Sequence, residues 1–298
     1  MHVFDRLAVR RHRDRAAAGF AAHDFLKREV AERLADRLAD MTRGFPLALE
    51  LGAHDGTLAR ALSGRGGIAT LVQCDLSPVM LARGQGLRVA ADEERLPFAA
   101  GAFDAVLSVL SLHWVNDLPG TLIQAWHALR PDGLFLAALF GLGTLIELRQ
   151  AFAEAELSGE GGVSPRVSPF VELRDAAGLL QRAGFALPVA DAETIDVTYA
   201  DPLRLMAELR GMGEANAVVE RRKRFTRRAT LLAAAAAYRD RFARTDGRVP
   251  ASFEVIWLTA WKPDPSQQKP LRPGSAAQRL ADALGTAERS AGEKARPR

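Results

Sequence analysis

The stretch LALELGAHDGTLARAL, Leu47 to Leu62, constrains the fold more than any other part of the chain: an apolar run ends in an acid and a glycine turn that opens a helical pattern. A strand followed at once by a helix is the repeating unit of a parallel sheet, because parallel neighbours need a crossover and the helix supplies it. The turn between them lets backbone N–H groups and a helix N-terminus approach a polar ligand, and Gly52 and Gly56 keep side chains out of the way. These glycines stand four apart with Glu50 two positions before the first, so the G-x-G-x-x-G fingerprint of a dinucleotide site is not matched. His54 sits between them where a glycine is common. Histidine tolerates left-handed backbone better than most residues, and the expectation is a turn residue pointing to solvent.

The same rhythm continues along the chain. Strands are expected at 47–51, 68–74, 87–90, 103–110 and 134–139, with helices from about Asp55, from Ser77-Pro78 and over 118–129. Continuously apolar strands separated by helices argue for a sheet buried on both faces, and the fold class is therefore α/β, doubly wound. Asp24 is placed to cap a helix carrying Leu26, Val30, Leu34, Leu38 and Met41 and ending near Gly44. After Thr144 the pattern turns helical, with a Gly- and Pro-bearing loop at 159–170 and a strand candidate at 192–199. A strong strand follows at 252–261. The expected organisation is an arm and cap helix (1–44), a cofactor core (45–143), a lid insertion (144–244), a final strand (245–262) and a basic disordered tail (263–298) with a short helix at 276–284.

Composition excludes several classes. The longest nearly apolar run, Leu134 to Ile146, contains two glycines and falls short of the ~20 residues that a membrane helix needs. The lone cysteine, Cys74, has no internal disulfide partner and reads as a buried strand residue, which suits a reducing cytoplasm. The arginine-rich N-terminus carries Asp5 and Asp14 and no serine, unlike a transit peptide, so it reads as part of the mature protein. A net charge of +4 is no nucleic-acid footprint. The basic runs at 10–15 and 220–228 suit a solvated face or, alternatively, an acidic partner or the surface of a membrane-attached complex.

Acids fall at three consecutive strand ends: Glu50, Asp75, which lies 19 residues past Gly56, and the pair Asp92 and Glu93. In that order they suit the near end of the cofactor, the two ribose hydroxyls of an adenosine, and an adenine amino group flanked by Leu96 or Phe98. S-adenosylmethionine answers that pattern better than a dinucleotide.

The segments VFDRLAVRRHRDRAA, LALELGAHDG, ADEERLPF, SLSLHWVNDLPG, SPRVSPF and GMGEANA together make the chain resemble the mitochondrial complex I assembly factor 5 family, within the class I S-adenosylmethionine-dependent methyltransferases. A close cousin is the malonyl carrier-protein O-methyltransferase of biotin synthesis. The resemblance runs from Val3 to Lys262 and implies a Rossmann-like sheet, mostly parallel with an antiparallel C-terminal strand, and a helical lid. It implies cofactor contacts at Glu50, Gly52, Gly56, Asp75, Asp92, Glu93, Leu110 and Ser111. His54 and Glu50 depart from the family's usual glycine and aspartate.

Methyl transfer from a sulfonium asks mainly for in-line positioning in a dry pocket, with a base to help deprotonation. His113 and Asp117 are the candidates for that base, and SPRVSPF and GMGEANA are expected to border the substrate entrance with the N-terminal arm. The resemblance also implies a rival chemistry, hydroxylation of an arginine on a complex I subunit. Among the six histidines only His113 with Asp117 forms a local pair, and no metal site is expected. The expected partner is a protein substrate, a complex I subunit or a carrier protein, with at most peripheral membrane association. A third possibility is a cofactor-binding assembly factor without turnover.

Overall fold

In the computed structural model, which describes residues 2–268, 279–287 and 292, the apolar runs form seven strands. They are β1 (Leu47–Leu51), β2 (Thr70–Asp75), β3 (Leu87–Ala90), β4 (Phe103–Val109), β5 (Leu129–Phe140), β6 (Ala186–Tyr199) and β7 (Val249–Trp261). The helices are α1 (Arg6–Ala16), α2 (Phe25–Ala39), α3 (Thr57–Leu62), α4 (Pro78–Leu81), α5 (Leu118–Ala128), α6 (Ile146–Glu160), α7 (Leu173–Arg182), α8 (Pro202–Gly211), α9 (Arg228–Phe242) and α10 (Leu280–Leu284).

The strands lie in the order β3-β2-β1-β4-β5-β7-β6. β1 to β5 run parallel, whereas β7 inserts antiparallel between β5 and β6, pairing Leu134 with Trp261 and Phe140 with Val255. The order reverses direction on either side of β1, so the carboxyl ends of β1 and β4 part their following loops and leave a crevice between them.

Alternation along each strand divides the core into two layers. Ala105, Leu107 and Val109 of β4 join Leu134, Leu136 and Ala138 of β5 in a layer with Leu34 and Leu38 of α2 and Tyr238 of α9. Val106, Phe135, Ala137 and Leu139 point the other way, against Leu122 of α5 and Leu180 of α7. Each fully buried leucine contributes roughly 1.5–3 kcal/mol, which makes this two-faced sheet the main source of stability.

Some expectations shift. Within the 144–244 stretch, β6 joins the main sheet as an edge strand, and the chain to Asp264 is one unit. Asp24 stands at the N-cap of α2, but its side chain pairs with Arg28 at 3.5 Å and bonds no backbone N–H of the helix, and α2 stops at Ala39. Pro265–Arg298 forms a second unit; its described helix is α10, while 276–278 of the expected tail helix lie outside the described residues. Among the described residues no helix is long and apolar enough to cross a membrane.

Candidate cofactor and substrate site

The turn after β1 is held by geometry that few residue types accept. Gly52 and Gly56 take φ of +70° and +79°, and a Cβ on Gly52 would lie 1.9 Å from Ser111 Oγ. This close approach ties the tips of β1 and β4 together. His54 is also left-handed, at φ +51°, but it does not point to solvent as its sequence position suggested: it is 2% exposed. Its N–H donates to Asp75 Oδ2 at 2.9 Å, its ring lies 5.8 Å from that of Phe20, and Lys27 Nζ stands 3.0 Å from its Nδ1. The segment linking α1 to α2 covers it, which local sequence could not reveal. Burial and the nearby Lys27 ammonium hold its pKa well below the usual histidine range, so the ring is neutral, with Nδ1 between Lys27 Nζ and the Gly52 carbonyl oxygen at 2.9 Å.

All the acids at the strand tips are present and close to one another. Glu50 is fully buried, and neither of its oxygens has a hydrogen-bond partner among the described residues. Burial pushes its pKa up to about 8, against the pull of Lys27. Lys27, from α2, is driven down to about 8 by its own burial, while its Nζ donates to Val109 O at 2.7 Å and Gly52 O at 3.2 Å. Asp75 receives the N–H of Ser77 at 2.7 Å besides that of His54. Glu93 accepts from Ser111 Oγ at 3.1 Å. Leu110, at φ +45°, turns the chain from β4 into that contact.

Sequence reasoning missed the cations that meet these acids. Arg13, read as part of a basic surface, is 1% exposed: its Nη1 lies 3.2 Å from both Asp75 oxygens and from Glu93 Oε1, and its Nη2 donates to Ser111 Oγ at 2.8 Å. Burial opposes the Arg13 charge, but Asp75 and Glu93 outweigh it and raise its pKa. Arg6 donates to Asp92 at 2.6 Å and to Glu93. A signal did exist. Arg6, Val9, Arg13 and Ala16 recur at helical spacing and form the inward face of α1, with Arg10, Arg11 and Arg15 outside it.

Beside this cluster opens a cavity of about 540 Å³, lined by Trp114, Phe140, Phe152 and Phe253, by Pro165–Ser168 and Phe170, and by Glu214–Asn216. Both SPRVSPF and GMGEANA reach it, as does His12 of α1. A much smaller pocket, about 20 Å³, is bounded by Lys27, His54, Leu110 and again Glu214. Glu214 thus stands between the tip of β1 and the larger cavity. It accepts from Trp114 Nε1 at 2.8 Å and lies 3.2 Å from His113 Nε2; burial opposes its charge, but His113 holds its pKa below the usual range.

The two proposed bases separate. His113 is buried among Phe140, Phe170 and Trp114, and burial lowers its pKa despite Glu214, so it is a neutral donor that orients Glu214. Asp117 is exposed and accepts from Gly120 N at 2.8 Å as the N-cap of α5. The carboxylate that meets His113 is Glu214, about a hundred residues away in sequence and brought in by the loop after α8. Among the described residues no cluster of three or more His, Cys, Asp or Glu could hold a metal ion.

Residues 49–137 match the family model of a methyltransferase domain. The chain is 42% identical to the mitochondrial arginine-hydroxylase NDUFAF5 of Danio rerio, over 95% of this chain and 89% of that protein, and 43% identical to its Homo sapiens counterpart, over 93% and 81%. The chain belongs to the complex I assembly factor 5 family. It is also 36% identical to the malonyl-[acyl-carrier protein] O-methyltransferase of Xylella fastidiosa, over 88% of this chain and 89% of that one. Solved structures share the fold: the YcgJ protein of Bacillus subtilis superposes with a TM-score of 0.55 at 15% identity, over 78% of this chain and 98% of that one.

The cofactor of this methyltransferase-fold protein is S-adenosylmethionine, and the residues fit it. The buried Glu50 has no hydrogen-bond partner among the described residues, the carbonyls of Gly52 and Val109 receive an ammonium, and both oxygens of Asp75 accept from a guanidinium nitrogen. The missing Cβ of Gly52 lets Ser111 and Glu93 close against the turn.

Proposed function

We propose that this family member is an S-adenosylmethionine-dependent methyltransferase that acts on a cationic side chain of a protein substrate. The observation that carries the reading is Glu214, a largely but not fully buried carboxylate held in its charged form at the boundary between the cofactor residues and an aromatic-lined cavity. A guanidinium entering that cavity would find a counter-charge at Glu214 and ring faces around its stem. When bound, the cofactor would supply an electrophilic methyl group. Glu214 would hold a guanidinium through the N–H groups it accepts from, leave another nitrogen facing the methyl, and take up the proton that this nitrogen sheds as it is methylated. Trp114 and His113 would hold the carboxylate in place.

A polypeptide substrate is supported by the mouth of the cavity. Arg210 and Arg224 line it without an ion-pair partner among the described residues, and Phe225 beside them is fully exposed. Such a rim suits an acidic segment flanking the modified residue.

Arginine hydroxylation is a second reading, favoured by the printed name of the curated relatives, and the same Glu214 would serve it. The test is mass spectrometry of complex I subunit homologues from cells with the wild-type protein, with Glu214→Gln, or without the gene. A methyl-sized increment lost in both mutant backgrounds supports transfer, and an oxygen-sized increment lost in both supports hydroxylation. An unchanged spectrum overturns both.

A further inference from the structure

The polar groups that a nucleoside cofactor needs are already in use. One guanidinium, Arg13, spans both oxygens of Asp75 and reaches Glu93 and Ser111, while Arg6 covers Asp92 and the rest of Glu93. At the other end of the site the Lys27 ammonium sits on the carbonyls of Gly52 and Val109. The three cations come from α1 and α2, and they occupy positions where a ribose diol, an adenine amino group and an amino-acid ammonium would bind.

We infer that α1 is a built-in competitor of the cofactor: its arginines plug the nucleoside end of the site, and S-adenosylmethionine enters by displacing them. This rests on the reading of the site as one for S-adenosylmethionine. The physical argument is one of paired charges. Asp75 and Glu93 are fully buried and costly to leave uncompensated, so without ligand the fold supplies its own cations. A ligand that hydrogen-bonds to the same carboxylates removes the need for them, and Arg13, whose charge is stranded by burial, then gains by moving toward water.

The helix cannot leave alone. Asp5 N donates to Ala217 O at 2.8 Å and Val219 N to Val3 O at 2.8 Å, Phe4 stacks edge-on against Trp114 at 5.3 Å, and Asp5 pairs with Arg221 at 3.0 Å. These contacts bind α1 to the loop that carries Glu214. Displacing α1 therefore loosens a wall of the substrate cavity, which orders the events: cofactor first, substrate second.

The full-length protein tests this by hydrogen exchange and calorimetry with S-adenosylhomocysteine. The amides of residues 6–17 and 214–221 should exchange faster with ligand than without. Arg13→Met, which removes the competitor, should bind on the order of tenfold more tightly, because less of the protein is held in the closed state. Should Arg13→Met fail to fold, Arg13→Lys keeps the charge but loses the two-pronged contact and should bind more tightly by a smaller factor, and the exchange experiment needs no variant. Slower exchange of α1 on ligand binding, or weaker binding by either variant, would overturn the proposal by placing Arg13 in the bound site. Absence of uptake by wild type and variants alike would instead remove the cofactor reading on which the proposal stands.

Discussion

The charge state of Glu50 has a measurable consequence. Its pKa in the folded chain, about 8, lies above its ordinary 4.5, so between those values the native state keeps a proton that the unfolded chain has released. Stability from this group is present at low pH and is lost as pH rises through that window. Glu50→Gln has no such loss, and in thermal melts without cofactor its advantage over wild type should grow from pH 5 to pH 8, while its affinity for S-adenosylhomocysteine falls. A gap that narrows with rising pH would contradict the assignment. Asp75 is different, because it is paired. Asp75→Asn leaves Arg13 with half its counter-charge and should lower both the melting temperature and ligand affinity. Glu214→Gln keeps the shape but not the charge. It should reduce kcat/KM for a cationic substrate by roughly ten- to a hundredfold, the worth of a hydrogen bond to a charged group, with cofactor binding retained in calorimetry.

Among the elements, the turns at the strand tips carry the specificity of the site. Gly52→Ala would place a methyl on Ser111 in a backbone conformation that alanine resists, so the tips of β1 and β4 must part. Loss of ligand binding with a lower melting temperature is the expected result. Asp117→Ala removes the cap of α5, should cost about 1 kcal/mol, and should leave ligand affinity unchanged. A loss of turnover beyond that destabilisation would return Asp117 to the chemistry. At this scale much was readable in advance: the strand ends and their acids follow from local apolar runs and turn residues. The role of α1 was not, because a run of arginines looks the same whether it faces water or the buried carboxylates of Asp75 and Glu93.

For the molecule as a whole, the sheet order puts every cofactor acid on one edge and the substrate loops beside it. Ligand linkage should report this arrangement. Saturation with S-adenosylhomocysteine at a hundred times Kd should add about 2.7 kcal/mol of stability, read as a rise in melting temperature, and NAD should add none. The β7–β6 pair, outside the region that matches the methyltransferase domain model, completes the sheet and forms part of the cavity wall through Phe253.

Hydrophobic period and turn chemistry act over a few residues, so the sequence by itself determined the doubly wound sheet, the glycine turn and the acids at Glu50, Asp75, Asp92 and Glu93. Only the tertiary structure decided what those acids face. Arg13, Lys27, His54 and Glu214 acquire their partners across tens to about a hundred residues of chain, where burial and charge pairing, rather than local pattern, choose the contact.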